Sequence, residues 1–487
     1  MTALAAIAPS ARPASDTRRS TGAIVALGCS GLLVSLLQTA VVPLIPQFPA
    51  LLSVSSSSAT WLLTVTLLAG AVSAPVLGRL GDMYGKRRML LVSLGIILVS
   101  SVLAALAPNF AVLLVARGMQ GVGFGVIALG MSLMRDVLPP AKVAGGVGLM
   151  SSSLGVGGAI GPPVTGILAQ HGGWRLLFAA LAVGTLGLLA VVVRMVPESG
   201  LRSGGRFDTV GAVGLSVALV CLLLGISKGS AWGWSSPLVL GLLAASAAVL
   251  AVWGRYELRC SAPLVDLRVA ARPAVLRTNL ASVLLGFSMF ATFALATQIL
   301  QAPVATGYGF GLSMLVAGVL LLPIGGAMMI FSSVSARTSR RHGPSVTVIA
   351  GAALLVVGNA AIAMLPATLW LVVAAATVGA IGAALAYSAL PLLIMRAVPA
   401  TETAAANSLN TLMRQLGTST VTAMAAAVSG ALVVDVDGHL LPAGSAYTIV
   451  FLAAAAAALV ALVIAAFTPA PATRTDTDDT DVQPLAA

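Results

Sequence analysis

The sequence predicts an all-α membrane protein of fourteen transmembrane helices, arranged as two six-helix bundles with two further helices inserted between them. Three observations carry this expectation. Of the 487 residues 59% are hydrophobic and 8% charged, with a mean hydropathy of +1.04, whereas soluble domains carry about 25% charged residues. Fourteen stretches approach the roughly 17 to 25 apolar residues that a bilayer-crossing helix needs. The basic residues collect in alternate loops, as the positive-inside rule requires of a correct span count.

The first bundle is expected from spans at 21–45, 61–77, 89–106, 111–134, 143–168 and 176–193. Spans at 210–226 and 238–253 form the inserted pair, and the second bundle follows at 279–300, 312–330, 346–365, 369–395, 404–432 and 446–467. Residues 1–20 read as a cytoplasmic tail, 21–195 as the first bundle, 196–272 as the linker with its two extra helices, 273–467 as the second bundle and 468–487 as a disordered acidic tail. The run after residue 20 is too long for a signal-peptide core and lacks a clear cleavage site.

Of 26 Lys and Arg residues, only Arg175 and Lys228 fall in outer loops under this scheme, while Arg117 and Arg414 lie within spans. All others fall on one side, which places both termini inside. A weak internal repeat supports the two bundles: the turn 78–88, preceded by Pro75, is echoed by 335–343, preceded by Pro323. Parallel repeats place a substrate site at their interface, near the bilayer midplane.

The net charge of +12 does not indicate a nucleic-acid partner, because the basic residues are divided among short loops rather than gathered on one face. Cys29, Cys221 and Cys260 show no spacing for a disulfide framework or metal site. Asp435, Asp437 and His439 read as an exposed outer turn, and no metal is expected. A membrane enzyme would need clustered His or acidic residues near one face, and an ATP-driven pump a phosphate-binding Gly-x-x-x-x-Gly-Lys-Ser/Thr loop; neither is found, so no catalytic residue is expected.

Five segments carry a family resemblance. They are 78–88 (Gly-Arg-Leu-Gly-Asp-Met-Tyr-Gly-Lys-Arg-Arg), Arg117-Gly118-Met119-Gln120-Gly121 in the fourth span, the glycine-proline run 155–166 in the fifth, Trp232-Gly233-Trp234 with 263–267 around the inserted pair, and Arg414-Gln415-Leu416-Gly417 in the thirteenth. Together they resemble the major facilitator superfamily, and within it the 14-helix drug:proton antiporters of the EmrB/QacA type. The resemblance implies alternating-access export of small molecules across the cell membrane, powered by the proton gradient with no cofactor, by a monomer whose partners are its substrate and the bilayer; an uncoupled or differently coupled facilitator of anionic or neutral metabolites and a transport-inactive membrane sensor are the alternative readings.

By that resemblance Gly78, Arg79, Gly81, Asp82, Gly85, Lys86 and Arg87 form a cytoplasmic gate, with Asp136 completing a charge cluster around Asp82 and Lys86. Gly157 and Gly161, at small-xxx-small spacing, with Pro162 and Gly166, form a helix-packing motif associated with antiporters. Arg117 should face the bundle interior, since a mid-span charge costs roughly 2.5 to 3.5 kcal/mol on the insertion scale; either it serves the substrate cavity or carbonyls and Gln120 tie it down for packing. Asn407, Asn410, Arg414 and Gln415 make a polar stripe that lines a cavity or glues helices. Gln38, Gln298 and Tyr387 are open to the same two readings. One departure stands out: Gln38 occupies the first-span position where these antiporters usually carry an acid, and no carboxylate lies in mid-span.

Overall fold

A computed structural model describes residues 14–45, 47–204, 206–364, 368–436 and 439–467. In chain order the helices are α1 (Ala14–Thr39), α2 (Phe48–Leu52), α3 (Ser56–Tyr84), α4 (Lys86–Ala105), α5 (Phe110–Gln120), α6 (Gly123–Val137), α7 (Pro140–Met195), α8 (Thr209–Trp232) and α9 (Pro237–Glu257). They continue with α10 (Leu267–Ala270), α11 (Pro273–Gln301), α12 (Met314–Leu320), α13 (Leu322–Arg341), α14 (Pro344–Met364), α15 (Leu369–Ala397), α16 (Thr403–Ala431) and α17 (Gly444–Ala466). An antiparallel ribbon of β1 (Val433–Val436) and β2 (His439–Pro442) precedes α17. Capping signals in the sequence set several starts: Asn109 accepts from Val112 N–H ahead of α5, Asp208 from Gly211 N–H ahead of α8, and Ser236 from Val239 N–H ahead of α9, where Pro237 follows.

Among the described residues, twelve helical stretches are long and apolar enough to cross a membrane. Two of the fourteen expected spans are not among them. The stretch expected at 143–168 is broken, with Pro140–Gly158 and Pro163–Ala169 meeting at 50°. The stretch expected at 404–432 is helical over 29 residues as α16, but its polar stripe lowers its apolarity.

Four other expectations need correction. The turn expected over 78–88 is almost wholly helical: α3 runs through Tyr84, and only Gly85, at φ 109° and ψ 127°, separates it from α4, a conformation that glycine alone adopts without strain. Lys228, placed in an outer loop by the sequence, lies in α8, its Nζ 3.0 Å from Thr60 Oγ1 and 4.6 Å from the centre of the Trp61 ring. Arg175 belongs to the second arm of α7, beyond the break at Gly172 and Gly173, and donates to Ala107 O at 2.9 Å. The helical start at Ala14 also precedes the expected boundary at residue 20, and residues 468–487, like Asp437, lie outside the described residues.

Two hydrophobic cores are drawn mainly from the first and the second half of the chain. Leu27, Leu37, Leu62, Leu94, Ile97, Met150 and Phe178 pack the first, and Leu285, Leu295, Met328, Leu355, Tyr387 and Phe451 the second. Ala336, Leu392, Met395 and Ala404 from the second half join the first core, all at helix ends on the face that carries Lys86 and Arg87. The halves are therefore closed against each other on this basic face. A third cluster seats α8 across both halves, with Leu215, Leu219 and Leu223 packing among Ala71 of α3 and Leu412 of α16. Leu238, Leu240 and Val252 of α9 are more than half exposed, as suits a helix facing lipid tails.

Candidate functional site

The basic face holds a buried charge cluster. Asp82 sits within the last turn of α3 and is fully buried. Its carboxylate accepts from Ala404 N–H at 3.2 Å and Ala405 N–H at 2.8 Å, two of the four amides that the first turn of a helix leaves unpaired. A carboxylate here also meets the positive end of the α16 dipole. Lys86 Nζ lies 2.7 Å from Asp136 Oδ2, 3.5 Å from Asp82 Oδ1 and 2.9 Å from Thr403 Oγ1. The expected trio of Asp82, Lys86 and Asp136 is thus assembled, and it spans α3, α4 and α6 of one half and α16 of the other.

Glycine permits this closeness. A Cβ on Gly78 would meet Ser408 Oγ and lie 2.7 Å from Ala404 O, and one on Gly81 would lie 3.8 Å from Ala404 Cβ. A side chain at Gly78 would hold α3 and α16 apart, whereas at Gly81 the contact with α16 is an ordinary one and the tight contact is with Leu129 of α6. Arg79 is nearly buried, with Nε unpartnered, and borders a cavity of about 230 Å3 shared with Glu402 and Leu409. Arg87 lies outside the trio: its backbone N–H donates to Glu198 at 3.0 Å and its Nη2 to Val193 O at 2.7 Å.

Several partners in this cluster escaped the sequence reading. Glu198 takes the backbone N–H groups of Arg87 and Arg88 at 3.0 and 3.1 Å, capping α4 from the linker. Ser199 Oγ donates to Asp136 Oδ2 at 2.6 Å, and Ser203 N–H to Asp82 O at 2.7 Å. The helix start at Thr403 could be read from the preceding Pro399. That its amides face Asp82, more than 300 residues earlier, could not.

Deeper in the bundle, Arg117 is 1% exposed. Its guanidinium donates to Leu37 O at 3.0 Å, Leu62 O at 3.3 Å and Gln120 Oε1 at 2.6 Å, and Gln120 Nε2 donates to Ser101 Oγ at 3.2 Å. Carbonyls and Gln120 therefore hold Arg117, with only Nη2 left unpartnered. In the other half, the Arg414 guanidinium lies 4.9 Å from the centre of the Tyr387 ring and its Nη2 donates to Thr411 Oγ1 at 3.2 Å. Arg414 Nη1, Tyr387 Oη and both side-chain polar atoms of Gln415 are buried without a partner, as is Nε2 of half-buried Gln38. Buried polar groups are ordinarily satisfied, so these unpartnered atoms, on α1 and α5 of one half and on α15 and α16 of the other, are places able to take water or a hydroxylated or carbonyl-bearing molecule.

The stripe on α16 divides. Asn407 Nδ2 reaches Ser132 Oγ of the other half at 3.2 Å. Asn410 does not belong with these atoms: it donates to Asn279 Oδ1 and Ser282 Oγ of α11 at 3.0 and 2.7 Å, a bond between neighbouring helices. Gln298 is likewise elsewhere, exposed on α11 and accepting from Tyr447 Oη at 3.4 Å.

Of the packing motif, Gly157 and Gly161 press on α1, where Cβ atoms would strike Ser35 and Thr39. Thr39 Oγ1 donates to Gly157 O at 3.0 Å and Thr165 Oγ1 to Ala40 O at 2.8 Å across the same seam. Gly166 has open space at its Cβ position and takes no part in the seam. The Pro162 side chain lies outside the described residues.

A family model described as Major Facilitator Superfamily matches residues 27–422, from α1 into α16. The chain belongs to the Major Facilitator Superfamily. As a member of it, the chain is a multi-pass membrane protein of a transporter family that acts on small molecules, and its family and fold are not those of enzymes. This facilitator is 33% identical over 345 residues to the tetracenomycin C resistance and export protein of Streptomyces glaucescens, covering 70% of this chain and 62% of that one. It is 28% identical over 317 residues to the multidrug resistance protein Stp of Mycobacterium tuberculosis, covering 64% and 58%. The match thus spans about three fifths of the length of these curated relatives. Two solved structures share the fold with a TM-score of 0.66: the human organic anion transporter MFSD10, at 16% identity over 92% of this chain and 99% of that one, and the proton:xylose symporter XylE, at 15% over 93% and 97%.

Proposed function

We propose that this protein is a secondary transporter of the cell membrane that exports hydrophobic or amphipathic small molecules by alternating access, in antiport with protons. The observation that carries the reading is the closure of the halves on the basic face by Asp82, whose carboxylate is held by the first amides of α16. Positive charge gathers on that face, which by the positive-inside rule supports reading it, and both termini, as cytoplasmic. The resistance named for two relatives, with export named for one of them, supports the outward direction. In this reading the bent first arm of α7 and the polar α16 also cross the bilayer, which gives fourteen helices of the EmrB/QacA-type branch, and the protein works as a monomer.

Coupling is assigned to the gate. Gln38 cannot take a proton where the antiporters usually carry an acid, whereas Asp82 and Asp136 lie within the charge cluster. A proton on Asp82 removes the charge that attracts Lys86 and the α16 terminus, so protonation loosens the closed face. A second reading, uncoupled movement of anionic or neutral molecules, is favoured by Arg117 and Arg414, which are buried and form no ion pair among the described residues.

Reconstitution into liposomes with an imposed pH gradient separates the two. Antiport predicts that the gradient drives uptake of a lipophilic dye by the native protein and by Gln38→Asp, and that Asp82→Asn loses this dependence. Movement insensitive to the gradient in the native protein rejects antiport and leaves the facilitator.

A further inference from the structure

A second inter-half cavity lies on the basic face, away from the gate. It has a volume of about 380 Å3 and is lined by the ends of α6, α7, α13 and α15. Ala144, Leu392 and Met395 give it a buried apolar floor, while Arg135, Arg340 and Arg396 supply the charge. None of its lining residues is acidic. The nearest carboxylate in sequence, Asp136, is engaged by Lys86 and Ser199.

These arginines are not paired off. None forms an ion pair among the described residues. Arg135 Nη1 is buried and has no hydrogen-bond partner, and Arg340 gives one bond, to Ala141 O of the opposite half at 3.1 Å. Arg396 is exposed. Uncompensated guanidinium groups with free donors are made for a phosphate oxyanion, which they can grip through two parallel bonds.

We propose that this cavity binds the headgroup of an acidic phospholipid, with Arg135, Arg340 and Arg396 on the phosphate and the apolar floor against the first carbons of the acyl chains. Two features select a lipid over a free phosphate. The arginines stand where apolar spans end, at headgroup depth, and the floor beneath them would be wasted on a wholly polar ion. Arg135 belongs to the first half, Arg340 and Arg396 to the second, so a lipid gripped by all three bridges the halves while the basic face is closed. Its binding would favour that closed arrangement in proportion to its preference for it. The inference rests on the family and the fold, not on export or proton coupling.

Native mass spectrometry of the purified full-length protein, titrated with phosphatidylglycerol or phosphatidylcholine, tests it. The native protein should retain phosphatidylglycerol over phosphatidylcholine, and each Arg→Gln change should weaken retention roughly fivefold, the effect of about 1 kcal/mol per basic residue near an anionic headgroup. Arg396→Gln alters an exposed side chain and should fold normally; Arg135→Gln/Arg396→Gln should show the larger loss. Arg202→Gln, exposed on the linker of the same face, should leave retention unchanged. Equal retention by the double variant and the native protein, or equal retention of the two lipids, would overturn the site. Displacement of phosphatidylglycerol by millimolar inorganic phosphate would make it a soluble-anion site and overturn the lipid assignment.

Discussion

Asp82 carries more structure than its single charge suggests. Its oxygens satisfy two backbone amides of α16 and face Lys86, while its carbonyl receives Ser203 N–H from the linker. Asn at this position keeps an acceptor for one amide but places an NH2 group toward the other, and it cancels both charge terms. Lys86 keeps Asp136, so the cluster is not left with an unpaired buried charge, the situation that costs most. Asp82→Asn should therefore fold and reach the membrane at native levels yet lower export about tenfold, corresponding to ~1.4 kcal/mol of lost preference for the closed face. Dye efflux from cells, normalised to protein in the membrane, measures this; efflux at the native rate would remove Asp82 from the gate.

Among the helices, the α1–α7 seam sets the arm that bends. Gly157 and Gly161 let α1 approach until Thr39 reaches a carbonyl of α7, and in lipid such close packing supplies association that the hydrophobic effect does not. Gly157→Leu or Gly161→Leu would drive a branched side chain into Ser35 or Thr39, and overpacking of this kind costs typically 1–3 kcal/mol. The unfolding midpoint in detergent should fall for both variants and stay unchanged for Gly166→Leu, whose Cβ position is open. An equal fall for all three would mean that the glycines act through backbone flexibility. The seam was legible in part, because small-xxx-small spacing is a local pattern. Most of the helices were legible for the same reason: hydropathy is a property of each stretch by itself. Glu198 capping α4 from 110 residues away was not, since single carboxylates announce no partner. The division of Asn407 from Asn410 also escaped the pattern, because one helical face at this packing density touches two neighbours.

For the molecule as a whole, the proposed export requires the basic face to open and close, and the gate offers a way to stop that cycle at a known point. In the closed arrangement a Cβ at position 81 lies 3.8 Å from Ala404 Cβ, matching the mean Cβ separation of about 3.8 Å in disulfides. The nearest obstruction is the tip of the Leu129 side chain, which can rotate away. With Cys29, Cys221 and Cys260 replaced by Ser, Gly81→Cys/Ala404→Cys should form a disulfide under mild oxidation that joins α3 of one half to α16 of the other. Export should stop on oxidation and return on reduction, whereas each single cysteine variant should be indifferent to both. Because in the proposed cycle substrate enters through the open basic face, saturating substrate or an acidic cytoplasmic side should slow the cross-linking by drawing molecules out of the closed arrangement. Undiminished export by a fully cross-linked protein would show that α3 and α16 stay together throughout the cycle, and the entry route would then have to lie elsewhere.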